Sequence, residues 1–222
     1  IKGVVVETPF SFAPRLSEET GCEIYLKKEN LQVTGAFKIR GAYNKIASLA
    51  PEQRAKGVIA ASAGNHAQGV AMAAKIFCIN ALIVMPESTP LTKINGVRYY
   101  GAQVILHGSN YDEAYAYAST YGQEHGMEFV HPFADDAEFA GQGTIALEML
   151  ESMIALDAIM IPVGGGGLIS GMASVIKQLA PTIEVIGISA LGAPAMKESF
   201  EAKCAIDSTT AVSLYTSPSP RD

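Results

Sequence analysis

Short apolar runs recur along the chain at Val58-Ile59-Ala60-Ala61, Ala81-Leu82-Ile83-Val84-Met85, Val104-Ile105-Leu106 and Ala158-Ile159-Met160-Ile161, each bounded by Gly, Asn, Pro or charge. Apolar residues that follow one another without polar alternation predict strands covered on both faces. The stretches between them keep helical spacing, with Ala67, Val70, Ala71 and Ala74 in one and Tyr111, Ala114, Tyr115 and Ala118 in another. Asn110 stands where the second helix should be capped, and Glu113 follows three residues on. A strand-like Val4-Val5-Val6 opens the chain. Strand, helix and strand in repetition call for right-handed crossovers and a mostly parallel sheet flanked by helices, so the fold class is α/β.

With 222 residues, 49% apolar and 17% charged, the chain has material for a sizeable core in one large domain or two small ones. Its 16 Lys and Arg against 22 Asp and Glu leave it mildly acidic, without a basic block that would track a phosphate backbone. Nucleic acid is therefore not an expected partner. Cys22, Cys78 and Cys204 are odd in number, far apart and without a Cys-x-x-Cys pair, so free thiols are expected rather than disulfides or structural zinc. The apolar stretches are short and broken by charge or glycine, and the N-terminus lacks a basic-then-apolar export pattern. The expectation is a cytoplasmic protein with no membrane partner. Ile1 in place of an initiator methionine suggests a piece of a longer protein. The segment Leu214-Tyr215-Thr216-Ser217-Pro218-Ser219-Pro220-Arg221-Asp222 resembles translated read-through of a sequencing-library adapter and is set aside from the fold.

Ligands of parallel sheets gather at the carboxyl ends of the strands, and two strand-to-helix loops there are unusual. Val163-Gly164-Gly165-Gly166-Gly167-Leu168 follows Pro162 and opens an apolar helix through Met172, Val175 and Leu179. Its glycines allow backbone N–H groups to face one point, and the helix start adds its dipole, which suits a phosphate dianion; a tight turn is the alternative. No strict Gly-x-Gly-x-x-Gly or Gly-Lys-Ser/Thr is present, which weakens dinucleotide and nucleoside triphosphate readings. Ser62-Ala63-Gly64-Asn65-His66-Ala67-Gln68-Gly69 likewise follows a strand and begins a helix. Its N–H groups and the Ser62 hydroxyl suit a carboxylate, and the Asn65 amide suits a phenolic or carbonyl oxygen; alternatively Ser62 and Asn65 cap the helix and His66 is an ordinary first-turn residue. A third segment, Glu29 to Ala42, is a polar turn entering a helix in which Lys38 stands among Ala36, Phe37 and Ile39. Such an apolar setting lowers a lysine pKa, as imine formation with an aldehyde requires, whereas a solvated surface charge is the plain alternative.

In this order and spacing, Thr34-Gly35-Ala36-Phe37-Lys38-Ile39-Arg40-Gly41-Ala42, Ser62 to Gly69 and Gly164 to Leu168 resemble the threonine dehydratases, members of the tryptophan-synthase-like pyridoxal-phosphate enzymes. The likeness takes in Ala140-Gly141-Gln142-Gly143-Thr144 and runs from about Thr8 to about residue 207. It implies pyridoxal 5′-phosphate as cofactor and a two-lobed fold, each lobe an open, mostly parallel sheet flanked by helices, the larger one C-terminally incomplete. Residues 34–131 would form the smaller lobe, 1–33 with 132–207 the larger, and 208–222 a non-native or disordered tail.

Carried over residue by residue, the resemblance makes Lys38 the lysine that forms the cofactor imine and removes the Cα proton. Phe37 would lie beside the pyridine ring, Asn65 against its 3-hydroxyl, and Gly164, Gly165, Gly166, Gly167 and Leu168 around the phosphate. Ser62, Ala63, Gly64, Asn65 and His66 would receive the substrate carboxylate. Arg40 resembles motif scaffolding without a catalytic role, and a helix-stabilising cation is the preferred reading. The implied reaction turns L-threonine into 2-oxobutanoate and ammonia, with L-serine giving pyruvate, in a protein that is a homo-oligomer when full length. Serine racemases are similar in all three motifs but place a second serine where this chain has Ala63, and a methyl group cannot return a proton. Racemase-like members also hold a divalent cation after the strand Val185 to Ile188, where Ser189, Ala190 and Leu191 stand here, so no metal is assigned. From another class comes a third reading, a chain that binds the cofactor phosphate without turnover.

Overall fold

In the computed structural model, which describes residues 1–206, the chain does not open with the expected strand. Gly3 lies at a φ of 83° and turns the backbone, so Val4-Val5-Val6 is left with an isolated bridge between Lys2 and Val5. A small antiparallel hairpin follows, β1 (Phe10–Phe12) and β2 (Tyr25–Lys27), with α1 (Pro14–Thr20) between them. Next come α2 (Lys38–Ser48) and α3 (Pro51–Ala55), then β3 (Val58–Ala61), α4 (Asn65–Ile76), β4 (Ala81–Met85), α5 (Leu91–Tyr99), β5 (Gln103–Leu106), α6 (Tyr111–His125) and β6 (Glu128–Phe129). The described chain ends through α7 (Asp136–Glu151), β7 (Ala158–Pro162), α8 (Gly167–Leu179), β8 (Glu184–Ile188) and α9 (Ala195–Ala202). The expected tail at 208–222 lies outside the described residues.

The four strands β5-β4-β3-β6 form one parallel sheet in that order. Every residue of β3 and β4 is buried, as continuous apolar runs demand, while the edge strands β5 and β6 are only partly covered. Val58, Ala60, Ile83 and Met85 face a core shared with Ile39, Ala67, Val70 and Ile94, and Ile59, Ala61, Leu82 and Val84 face Ala114 and Ala118 of α6. α6 starts as its sequence predicts: the Glu113 N–H donates to Asn110 Oδ1 at 3.0 Å. The Glu113 carboxylate accepts from the Ser109 N–H at 2.7 Å, one residue upstream of the cap.

β7 and β8 pair in parallel as a second sheet, packed with α7 and α8 around Ile145, Met149, Ile161, Met172 and Ile176. α7 crosses α2 and α8 at glycines. A Cβ on Gly141 would collide with the Arg40 carbonyl, and one on Gly171 with the Phe139 carbonyl. Strand order matters most for the site. From β3 the chain steps outward to β4 and β5, then α6 returns it to the opposite side of β3 as β6. The loops after β3 and β6 leave from that reversal, the place where open α/β sheets take their ligands. Among the described residues no helix is long and apolar enough to cross a membrane.

Candidate active site

The loop after β6, residues 130–134, lies at the reversal and touches all three segments singled out from the sequence. Lys38 begins α2, where Phe37 is the N-cap residue and no side chain caps the helix. Its Nζ donates to the Pro132 carbonyl at 2.6 Å and lies 5.3 Å from the centroid of the Phe37 ring. Burial lowers the Lys38 pKa, and the Glu138 carboxylate opposes that shift. The backbone beneath the lysine is fixed by α4: a Cβ on Gly69 would stand 3.1 Å from the Lys38 carbonyl carbon and the Ile39 nitrogen.

The loop after β3 is not capped in the way that residue type alone suggests. Gly64 is the N-cap residue of α4 and no side chain bonds to the helix start. Ser62 Oγ accepts from the Gly64 N–H at 3.2 Å, and Asn65 is already helical and exposed. A helix N-terminus without a side-chain cap keeps its N–H groups and dipole for an anion. Ala63 and Gly64 are half-buried beside it, and a Cβ on Gly64 would meet nothing within 4 Å. His66 is no ordinary first-turn residue. It is buried, and its Nε2 donates to the Val130 carbonyl at 3.0 Å. Burial first, then the Lys38 charge, holds its pKa down at about 3, so the ring is neutral and its buried Nδ1 has no hydrogen-bond partner. What His66 presents to the loop is therefore its backbone.

The glycine loop leaves β7 and enters α8. Gly166 is the N-cap at a φ of 85°, a backbone that a Cβ disfavours. The four glycines are not equivalent. A Cβ on Gly165 would meet the Phe133 ring at 2.5 Å and one on Gly167 would stand 3.1 Å from Phe133 Cα, so these two make room for protein. Gly164 alone faces open space, with nothing within 4 Å of a Cβ. Leu168 and Phe37 pack against the same second core.

The residues that join these parts were missed in the sequence. Pro132 holds Lys38 through its carbonyl, Phe133 rests on Gly165, and His131 Nδ1 accepts from the Phe133 and Ala134 N–H groups at 3.2 and 2.9 Å. Burial lowers the His131 pKa. Glu138 is 1% exposed on the inner face of α7, and burial raises its pKa to about 8. A carboxylate at 138 in line with Gln142, Ile145, Ala146 and Met149 was the available signal, an acid inside an apolar stripe. Arg40 also departs from expectation. It is fully buried and bonded to Glu29, Glu148, Thr144 and the Val6 carbonyl, tying the N-terminal segment and α7 to the helix that Lys38 opens. Burying such a cation is tolerable only when it is paired in this way.

The family model described as pyridoxal-phosphate dependent enzyme matches residues 1–222. The chain is 56% identical over 196 residues to an L-threonine ammonia-lyase of Thermotoga maritima, covering 88% of this chain and 49% of that one. Among solved structures it is similar to the processed form of threonine deaminase isoform 2 from Solanum lycopersicum, with a TM-score of 0.89 and 43% identity over 90% of this chain and 55% of that one. It is also similar to a serine racemase from Dictyostelium discoideum, with a TM-score of 0.85 and 39% identity over 90% of this chain and 65% of that one. The chain spans about half the length of the curated relatives it matches.

Proposed function

Because this chain belongs to the family of pyridoxal-phosphate-dependent enzymes, we propose that it carries the cofactor on Lys38 and converts L-threonine to 2-oxobutanoate and ammonia, with L-serine giving pyruvate as a side activity. The observation that carries the reading is the setting of Lys38, a partly buried amine of lowered pKa held by the Pro132 carbonyl, in the connector that also bonds to His66 at the start of α4 and rests on Gly165 of the glycine loop. When bound, pyridoxal phosphate supplies an aldehyde that takes up amines and a ring that accepts electron density from Cα. The residues present fit that group. Gly164 offers bare backbone over open space, and Gly165, Gly166, Gly167 and Leu168 continue the loop into the dipole of α8, which suits the phosphate. Phe37 lies against the lysine and would flank the ring, with the Asn65 amide toward its hydroxyl.

The backbone of Ser62, Ala63, Gly64, Asn65 and His66 would hold the substrate carboxylate at the start of α4. The Lys38 amine would then take the proton from Cα, a step worth roughly a hundred- to ten-thousand-fold in rate. Pro132 aims that amine, and neutral His66 anchors the loop through Val130. In this reading residues 34–131 form the smaller lobe, and the loops at the β3–β6 reversal face the larger. The whole protein is read as a homo-oligomer.

Likeness to a serine racemase supports a second reading, but Ala63 places a methyl group next to Ser62 and leaves Lys38 as the proton carrier. An assay with added cofactor tests both. Threonine should yield 2-oxobutanoate, Lys38→Ala should lose that activity by at least about a hundredfold, and serine should yield pyruvate with little D-serine. D-serine as the main product would replace the lyase reading with the racemase. Cofactor binding without any product would leave a chain that only holds the phosphate.

A further inference from the structure

The inner stripe of α7 begins with a carboxyl where an apolar residue would be expected. Glu138 is 1% exposed, and a buried acid without its full set of partners is costly. Gln142 Nε2 donates to Oε2 at 3.2 Å, while Oε1 is buried with no partner. The carboxyl rests on Gly41, where a Cβ would collide with Oε2. Gly41 and Lys38 are three residues apart on α2 and share a face, so this carboxyl lies on the lysine's side of the helix.

Other charges nearby are already engaged. From α2, Lys45 pairs with Asp135 at 2.8 Å and with Glu128 at 3.0 Å, which spends it on two other carboxylates. Asp135 also caps α7, accepting from the Ala137 N–H at 2.8 Å. His66 on α4 and His131 before α7 both face Lys38, and burial keeps both below the usual histidine range. The hydrogen bond that the Lys38 amine donates goes to a neutral carbonyl, that of Pro132.

We propose that Glu138 is a positioning residue for Lys38, its buried carboxyl governing the proton that the amine must shed before it can attack a carbonyl: the carboxylate holds that proton on the amine, and the neutral acid releases it. The Nζ–H bond then breaks with its electron pair left on nitrogen, and the proton passes to water. A neutral amine beside a neutral acid leaves no buried charge, which a low-dielectric interior favours. The inference rests on Lys38 being the reactive lysine.

Competitive acetylation of the cofactor-free chain, followed by peptide mapping of Lys38 from about pH 6 to about pH 10, tests it. In Glu138→Gln the Lys38 labelling rate, divided by that of the unsubstituted chain, should be near one at the acid end and rise several-fold once the pH passes about 8, where the native carboxyl is charged. Glu138→Asp, which keeps an acid there, should bring the ratio back toward one. A ratio that stays at one, or is shifted equally at every pH, would overturn the proposal and leave Glu138 a packing residue. Should the substituted chains fail to fold, the unsubstituted chain decides, because a coupled pair titrates in two steps and a single-step Lys38 profile overturns the coupling. No cofactor takes part, so a failure here differs from a failure of Lys38 to bind pyridoxal phosphate.

Discussion

The two parallel sheets support their loops in different ways. β3 and β4 are buried throughout, with α2, α4 and α5 on one face and α6 on the other, whereas β7 alternates, with Ile159 and Ile161 buried and Met160 65% exposed. The start of α4 and the backbone of Lys38 therefore rest on a framework covered on both sides. The glycine loop rests on two strands covered on one, and Phe133, from the connector of the first sheet, supplies part of its support. Cofactor grip and lysine placement should respond to different substitutions.

The largest effect is expected in the doubly covered sheet. Ile83→Ala, at a fully buried position, should cost about 2–5 kcal/mol in urea unfolding, since a cavity there has no room to collapse. A loss as small as that of a surface change would show that β4 is not a core strand.

Next comes acid sensitivity centred on His66. Its folded pKa of about 3 lies below the usual histidine value of 6.5, so the unfolded chain takes a proton that the folded chain refuses. Stability from this group is full above the unfolded value and falls as the pH drops toward about 3, by up to about 1.4 kcal/mol per pH unit. His66→Gln should flatten that part of the profile, as measured by denaturation at a series of pH values; an unchanged slope would move the sensitivity elsewhere.

Gly164→Ala should separate grip from fold. The new methyl enters open space, so unfolding should change by no more than about 0.5 kcal/mol, while affinity for pyridoxal phosphate in a fluorescence titration should fall about tenfold or more. Equal binding would remove Gly164 from the phosphate site. Smallest of all, Met160→Ser on the open face of β7 should shift stability by less than about 0.5 kcal/mol.

Much of the framework was legible in the sequence because burial on both faces leaves an unbroken apolar run: Val58–Ala61 and Ala81–Met85 are strands to the residue. Val4-Val5-Val6 misled because three β-branched residues carry less weight than one glycine at positive φ. The hairpin of Phe10–Phe12 with Tyr25–Lys27 passed unnoticed because three residues are too few for a period. At the site, glycines and an isolated lysine announced two loops and one helix start. Pro132 could not be read, because it acts through a carbonyl that every residue has. Glu138 gains its meaning from Gly41 on another helix. Arg40 looks like any helical cation until Glu29 and Glu148, far apart in the chain, are brought to it.

The most direct measurement is borohydride reduction of the chain with added pyridoxal phosphate, followed by peptide mapping. A reduced adduct concentrated on the peptide containing Lys38, and lost in Lys38→Ala, is the predicted result. An adduct spread over exposed lysines such as Lys197, with Lys38 unmodified, would contradict the assignment of these loops as the cofactor site.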